Sequence, residues 1–474
     1  MKSFLRTWGL ELGVLAALAV FVLWGIARVP FHPDEASLLF ESRDLELLVS
    51  DPLSMVWRPD RRPSRELEYR LLNSPLPKYI LGLGRRAAGF GPESVSVDWD
   101  WSKTWRANAA DGALPSHDLL SGARTAGSLA LLAAVITTYL AGRRLGGRAV
   151  GLAAGALMGL NALSLLHGRR AMAEGTLLMG VSLAVVGILL ADRRPFWAGL
   201  ALALAFNAKA STLALVPVAM LAAAWSSERS RSALVPALRR VAWLTVAFVG
   251  VTWILQPVLW RYPLQSLQAM WTERQELLAR QVADIQAVAP DHVVAGAPQR
   301  TAVLIGNLFV APLQFAEVGN YLAETQESVV AYQRVFGHTL LRGSVGGGVL
   351  LALTLLGMVW GWRRAKRESM AARRLMTLLF LGTALQGAAL VAAIPLPIQR
   401  YALPLLPFFC LWQGMGLAGG WPRPEKRRRP AEGGVGQGRE DPATRAGSRK
   451  VAFGEWDDEG GSAPGPRSDA RARA

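Results

Sequence analysis

Apolar residues along this chain run in blocks instead of recurring at the periods of an amphipathic helix or a half-buried strand. Blocks begin near residues 10, 123, 149, 171, 196, 211, 241, 343, 374 and 400. Most are roughly twenty residues long, the length at which a helix crosses a hydrocarbon core. The fifth, "FWAGLALALAFNA", is the shortest. Backbone inside lipid must satisfy its own hydrogen bonds, so the pattern predicts an all-α polytopic membrane protein of about ten spans. The first block, "LELGVLAALAVFVLWGIARV", exceeds a signal-peptide core. It is followed by Arg28 and Pro30 without a small-x-small cleavage pattern, which marks it as a retained span.

Two long stretches interrupt the blocks, residues 29–122 and 260–342. In the first, "EASLLFESRDLELLVS" sets Leu38, Leu39, Leu45, Leu47, Leu48 and Val49 among charges, the pattern of a helix lying on the membrane surface. "SPLPKYILGLGRRAAGF" begins at a proline-marked helix start and continues in the same way. Residues 301–317 are apolar, but a crossing there breaks the charge alternation described next, so they are expected to be interfacial or re-entrant. Residues 1–420 thus form one transmembrane domain. Beyond Trp421 the composition turns to Gly, Pro, Arg, Asp and Glu, which predicts a disordered tail over 421–474.

Charge orients the blocks. The chain carries 52 Lys and Arg against 35 Asp and Glu, a formal net charge of +17. The excess is concentrated in short clusters: "GRRLGGR" at 142–148, "DRR" at 192–194, "SSERSRS" at 226–232, "RRAKR" at 363–367 and "EKRRR" at 425–429. Such clusters favour the cytoplasmic side, so both termini are expected inside and residues 29–122 and 260–342 outside. The basic excess therefore points to topology and to membrane-lipid phosphates as partners, and not to nucleic acid. Cys410 is the sole cysteine, which excludes an internal disulfide. His32, His117, His167, His292 and His338 are scattered, none at the i, i+4 spacing of a helical zinc site. No metal site is indicated; His32 beside Asp34 is the one pair that leaves a divalent metal open as a cofactor.

On this topology four segments bring ionisable groups to the outer face at hydrocarbon depth. Asp34 and Glu35 follow the first span; "HGRRAMAE" carries Arg169, Arg170 and Glu174; "AFNAKAS" carries Lys209; "PIQRYALPLLP" carries Arg400 and Tyr401. Each has a plain structural explanation. Acids suit a helix N-terminus, and long basic side chains snorkel to headgroups. Charges inside a membrane domain are costly, however, and their convergence on one face favours a site holding a lipid-borne phosphate near a catalytic carboxylate.

With these residues in view, "FHPDEA", "NSPLPKYI", "GRRLGG" and "RYALPLLPF" resemble, in order, motifs of the GT-C fold glycosyltransferases that use polyprenyl-phosphate sugars. That superfamily includes the protein O-mannosyltransferases and the aminoarabinose transferases, and the resemblance covers roughly residues 5 to 420. It implies Asp34 as the catalytic carboxylate, with Glu35 beside it. The family's Arg-Tyr near the last span matches Arg400 and Tyr401; by the chemistry of the step Lys209, Arg400, Arg169 and Arg170 are expected to bind the donor phosphate, and Tyr401, Glu174, Asn73 and Lys78 to contact substrate. Asn73 and Ser74 stand where the family usually has His-Pro, and only Pro75 and Leu76 are retained. The implied setting is the cell membrane, with the site facing outside or the periplasm and a glycan, lipid or protein as acceptor. A polyprenyl phosphate leaves readily as an anion, so one carboxylate acting as base suffices where soluble glycosidases need two. A single displacement inverts the anomeric centre. The alternative is a transporter or flippase of lipid-linked sugars, for which internal repeats or paired broken helices would be the signature; no such repeat is visible in the sequence.

Overall fold

The computed structural model describes residues 2–61, 63–225, 234–317 and 321–418, so the expected tail over 421–474 lies outside the described residues. Regular structure among the described residues is helical throughout. The first apolar block is α1 (Lys2–Trp24). The first long stretch carries α2 (Pro33–Glu41), α3 (Asp44–Ser50), α4 (Arg65–Leu72), α5 (Pro75–Ala87) and α6 (Trp105–Ala110). Then follow α7 (His117–Gly146), α8 (Arg148–Leu160), α9 (Ala162–Gly168), α10 (Ala173–Leu190), α11 (Pro195–Ala208), α12 (Val216–Ala224) and α13 (Leu234–Leu255). The second long stretch holds α14 (Pro263–Val288), α15 (Ala297–Ile305) and α16 (Leu322–Gln333), and α17 (Gly343–Glu368), α18 (Met370–Ala393) and α19 (Leu406–Ala418) close the chain.

All ten apolar blocks are therefore helical. Seven are long and apolar enough to cross a membrane, and α8 with α9 makes an eighth bent by 54°. The bend has a local cause. Asn161 caps α9, its Oδ1 accepting from Leu163 N at 2.9 Å, and Ser164 Oγ donates to Met158 O at 2.6 Å. The remaining two are short: α11 has 14 residues, and α12 adds 9 to a six-residue 3-10 turn over Ala210–Leu215.

Small residues set the helix spacing, as expected where lipid removes the hydrophobic drive between helices. A Cβ on Gly142 would lie 3.0 Å from Gly151 Cα, and one on Gly159 3.4 Å from a Val135 methyl, so α7 and α8 run antiparallel in close contact. Gly180 meets Ala205 at 2.8 Å and Gly187 meets Ala198 at 3.1 Å in the same sense, which makes α10 and α11 an antiparallel pair. Gly357 against Trp412 and Gly416 against Leu353 join α17 to α19 likewise.

In the first long stretch the expected single surface helix over residues 35–50 is two. Buried Ser42 ends α2, its Oγ donating to Leu39 O at 2.6 Å and accepting from Arg85 Nε at 3.1 Å, and the chain turns at Arg43 before α3. The proline-marked helix forms where expected, as α5. Residues 301–317 hold the second half of α15, a five-residue π turn over Gly306–Val310 and an extended run to Glu317. Arg342 holds the π turn through Leu308 O at 2.8 Å and Asn307 O at 3.0 Å. The extended run is tied to the chain before α19 by two glutamines that cap each other. Gln314 N donates to Gln399 Oε1 at 2.9 Å and Gln399 N donates to Gln314 Oε1 at 2.7 Å.

Candidate active site

Leaving α1, the chain makes a 3-10 turn over Ile26–Arg28 and enters α2 with His32 at its N-cap and Pro33 at its first position. His32 Nδ1 accepts from Asp34 N at 3.1 Å, and Glu35 Oε2 accepts from His32 N at 3.1 Å, so both acids sit in the first turn of a capped helix. The two neighbours then diverge. Glu35 points inward and is fully buried. Arg124 of α7 grips it with Nε at 2.8 Å and Nη2 at 2.7 Å, and Ala171 N donates to it at 2.8 Å. Burial opposes the charge on Glu35, but the Arg124 fork together with Arg170 and the Ala171 amide outweighs it and holds the carboxyl below its usual range. Arg124 Nη1 also reaches Val29 O at 2.8 Å, so the pair fastens the exit of α1 to α7.

Asp34 points the other way and keeps partial solvent access. Its Oδ2 pairs with Arg400 Nη1. Arg400 Nε lies 3.2 Å from Glu317 Oε1, and Glu317 Oε2 lies 2.6 Å from His32 Nε2. Because His32 Nδ1 receives the Asp34 amide, Nε2 is the ring donor, and it faces Glu317. Burial works against ionisation of Asp34, yet Arg400 and then His32 hold its carboxyl below the ordinary value. The same opposition, with Arg400 and His32 prevailing, holds Glu317 well below it. Lys209, in the break between α11 and the following 3-10 turn, lies 3.7 Å from Glu174 Oε1 and 5.3 Å from the Tyr401 ring centroid.

Arg169 and Arg170 leave α9 fully buried. Arg169 is committed to the end of α1, donating to Val22 O at 2.9 Å and Phe21 O at 2.6 Å, with Nη1 2.9 Å from His338 Nε2. It thereby satisfies carbonyls that a helix terminus leaves without partners. Arg170 donates to Pro30 O at 3.3 Å and Phe315 O at 2.8 Å, while its Nη1 has no hydrogen-bond partner among the described residues.

The structure thus joins Asp34 to Arg400 and Lys209 to both Glu174 and Tyr401, and ties Arg170 to the chain at Pro30 and Phe315. Asn73 and Lys78 belong to a different cluster. Asn73 Nδ2 donates to Glu41 Oε1 at 2.8 Å, and buried Lys78 pairs with Glu41 Oε2 at 2.8 Å and donates to Tyr69 O at 3.1 Å. Glu317, Arg124 and the bridging role of His32 were not singled out in the sequence. A lone acid ending an apolar run, "LQFAEVG", and a lone arginine entering an apolar block, "SGARTAG", were the available signals. No group of three or more His, Cys, Asp or Glu among the described residues is arranged to hold a metal ion.

No family model matches the chain, and no curated protein matches it in sequence. Solved structures resemble it at low identity. ArnT from Cupriavidus metallidurans bound to undecaprenyl phosphate aligns with 86% of this chain and 60% of its own at 15% identity, TM-score 0.48. The archaeal oligosaccharyltransferase AglB from Archaeoglobus fulgidus aligns with 87% of this chain and 50% of its own at 12% identity, TM-score 0.46. The protein O-mannosyltransferase Pmt1-Pmt2 complex of S. cerevisiae aligns with 54% of this chain and 34% of its own at 17% identity, TM-score 0.36. The chain therefore spans between a third and three-fifths of the proteins it resembles.

Proposed function

We propose that this chain is a membrane glycosyltransferase of the GT-C type. It moves a sugar from a polyprenyl-phosphate donor to an acceptor hydroxyl at the outer membrane face, with inversion at the anomeric carbon. The observation that carries this reading is the pairing of Asp34 with Arg400 across 366 residues of chain, beside Lys209 and Tyr401. Asp34, Arg400 and Lys209 keep side-chain exposures of 25%, 17% and 26%, enough to meet a substrate. The "FHPDEA" and "RYALPLLPF" motifs fall on these same residues.

A carboxylate beside two cations supplies what the reaction needs. Asp34 takes the proton of the acceptor O–H while the acceptor oxygen bonds to the anomeric carbon. The bond from that carbon to the phosphate oxygen breaks, and its electron pair leaves on the polyprenyl phosphate. Arg400 and Lys209 stabilise the departing anion, while fully buried Arg170 braces the chain at Pro30 and Phe315. Glu174 and Tyr401 steady Lys209. Glu35 and Arg169, with every charged edge committed, hold the walls, and Asn73 and Lys78 hold the outer loop. The acceptor is a hydroxyl of a glycan, lipid or protein.

The test is transfer of labelled sugar from purified polyprenyl-phosphate donors by the detergent-solubilised protein. Detergent abolishes the compartments a flippase needs, so product formation that Asp34→Asn removes supports the enzyme. Absence of transfer from any such donor to lipid, glycan or peptide acceptors refutes it.

A further inference from the structure

A base already bound to a guanidinium is poorly placed to take a proton, and a phosphate gains from an arginine only where donor edges are available to it. A phosphate that grips the Nη1–Nη2 edge of Arg400 with two oxygens competes with Asp34 for the Nη1 donors and for the guanidinium charge. Its two acidic partners are not equivalent. Glu317 sits beside Arg400 Nε, on a different edge of the guanidinium from Asp34, and its side chain is 8% exposed. Its other oxygen is taken by His32 at 2.6 Å, and His32 is itself fixed by the amide of Asp34. Its chain segment is clasped to the Arg400 turn by the reciprocal Gln314 and Gln399 hydrogen bonds. Asp34 holds Arg400 through one oxygen, at the solvent-reached side of the cluster.

We propose that Arg400 is handed over. Asp34 holds it in the unliganded site, the donor phosphate takes it on binding, and Glu317, braced by His32, is the positioning residue that keeps the guanidinium in place through the exchange. The proposal rests on reading this site as a lipid-phosphate donor site. Its consequence is that the base is released only when a donor is present, so donor binding precedes acceptor activation. No bond to carbon changes in the handover; one ion pair is exchanged for another. Phosphate competes with Asp34 for Arg400 but cooperates with Glu317, so removing the two charges must act in opposite directions on donor affinity.

Undecaprenyl phosphate without sugar is a suitable probe, titrated against the detergent-solubilised full chain by tryptophan fluorescence. Asp34→Asn should bind it about tenfold more tightly than wild type, and Glu317→Gln about tenfold more weakly, the scale of one charge-assisted contact. Arg400→Ala should bind more weakly still. Opposite signs from two acid-to-amide changes cannot come from general loosening of the fold, which weakens both. Unchanged or weaker binding in Asp34→Asn overturns the handover, and unchanged binding in Glu317→Gln overturns the anchor. Wild type that shows no saturable binding removes the donor-site reading itself, and this inference with it.

Discussion

Asp34 and Glu35 are adjacent in sequence and opposite in circumstance, so substitution should separate them. Asp34→Asn keeps shape and removes only the base, so turnover should fall by roughly a hundredfold or more, the usual scale for general-base loss. Its thermal midpoint should stay near wild type because the side chain reaches solvent. Glu35→Gln leaves Arg124 charged and buried without its counter-ion, which costs about 3–5 kcal/mol. Folded yield and thermal midpoint should drop for Glu35→Gln alone; a normal melting profile there would contradict the wall-holding role. Arg400 makes a second contrast. Lysine supplies the charge but not two donor edges at once, and here two edges face two different acids. Arg400→Lys should therefore lose more in turnover than in donor affinity, because the phosphate gains charge as the sugar leaves. Equal losses in kcat and in affinity would reduce Arg400 to a binding contact.

At the scale of elements, the stretch between α1 and α7 carries a titration of its own. Glu41, at the end of α2, is buried among Lys78, Asp44 and Asn73. Burial is the stronger influence, exceeding the opposing pull of Lys78, and pushes its carboxyl up to about 7. A folded value above the unfolded one means that the folded state keeps a proton the unfolded chain has lost. Stability from this group is complete below the ordinary carboxyl value of 4.5 and is lost as pH rises toward about 7. The thermal midpoint of wild type should thus fall relative to Glu41→Gln across that window, whatever offset the substitution adds by leaving Lys78 without its partner. Parallel curves for the two proteins would refute it. Elements of this kind were partly legible. The Pro75 start of α5 and the acids opening α2 follow from local propensity, which sequence displays directly. The break at Ser42 depends on Arg85, 43 residues away, and the Glu35–Arg124 fork spans 89 residues, so neither has a local sign. Glu317 was missed for the same reason: its partners, His32 and Arg400, lie on other segments.

For the molecule as a whole, the site constrains how the chain threads the bundle. Asp34, Glu174, Lys209 and Arg400 meet at one end, so an even number of crossings must separate each from the next. From Asp34 to Glu174 the chain passes α7 and then α8 with α9, two crossings. From Glu174 it passes α10, and contact with Lys209 requires a return. Short α11 supplies it, since Gly180 and Gly187 of α10 pack on Ala205 and Ala198 in reversed order. Between Lys209 and Arg400 lie α12, α13, α17 and α18, again an even number. The two helices too short to qualify by length alone thus count as crossings, about 21 Å of rise for the 14 residues of α11 against a core of about 30 Å. Local thinning of the bilayer, or burial of their ends within the bundle, accommodates the difference. Ten crossings on this count would put both ends of the bundle on one side, and the basic clusters between helices lead us to expect that side to be the cytoplasm. Cysteine labelling tests the assignment cleanly, because the sole native thiol, Cys410, is buried. Asp60→Cys, in the outer loop, should react with a membrane-impermeant maleimide on intact cells. Arg367→Cys, exposed at the junction of α17 and α18, should react only after permeabilisation. The reverse pattern would put Asp34 and Arg400 on the cytoplasmic side and remove the outward-facing donor site. Labelling of both from outside would break the even-crossing count.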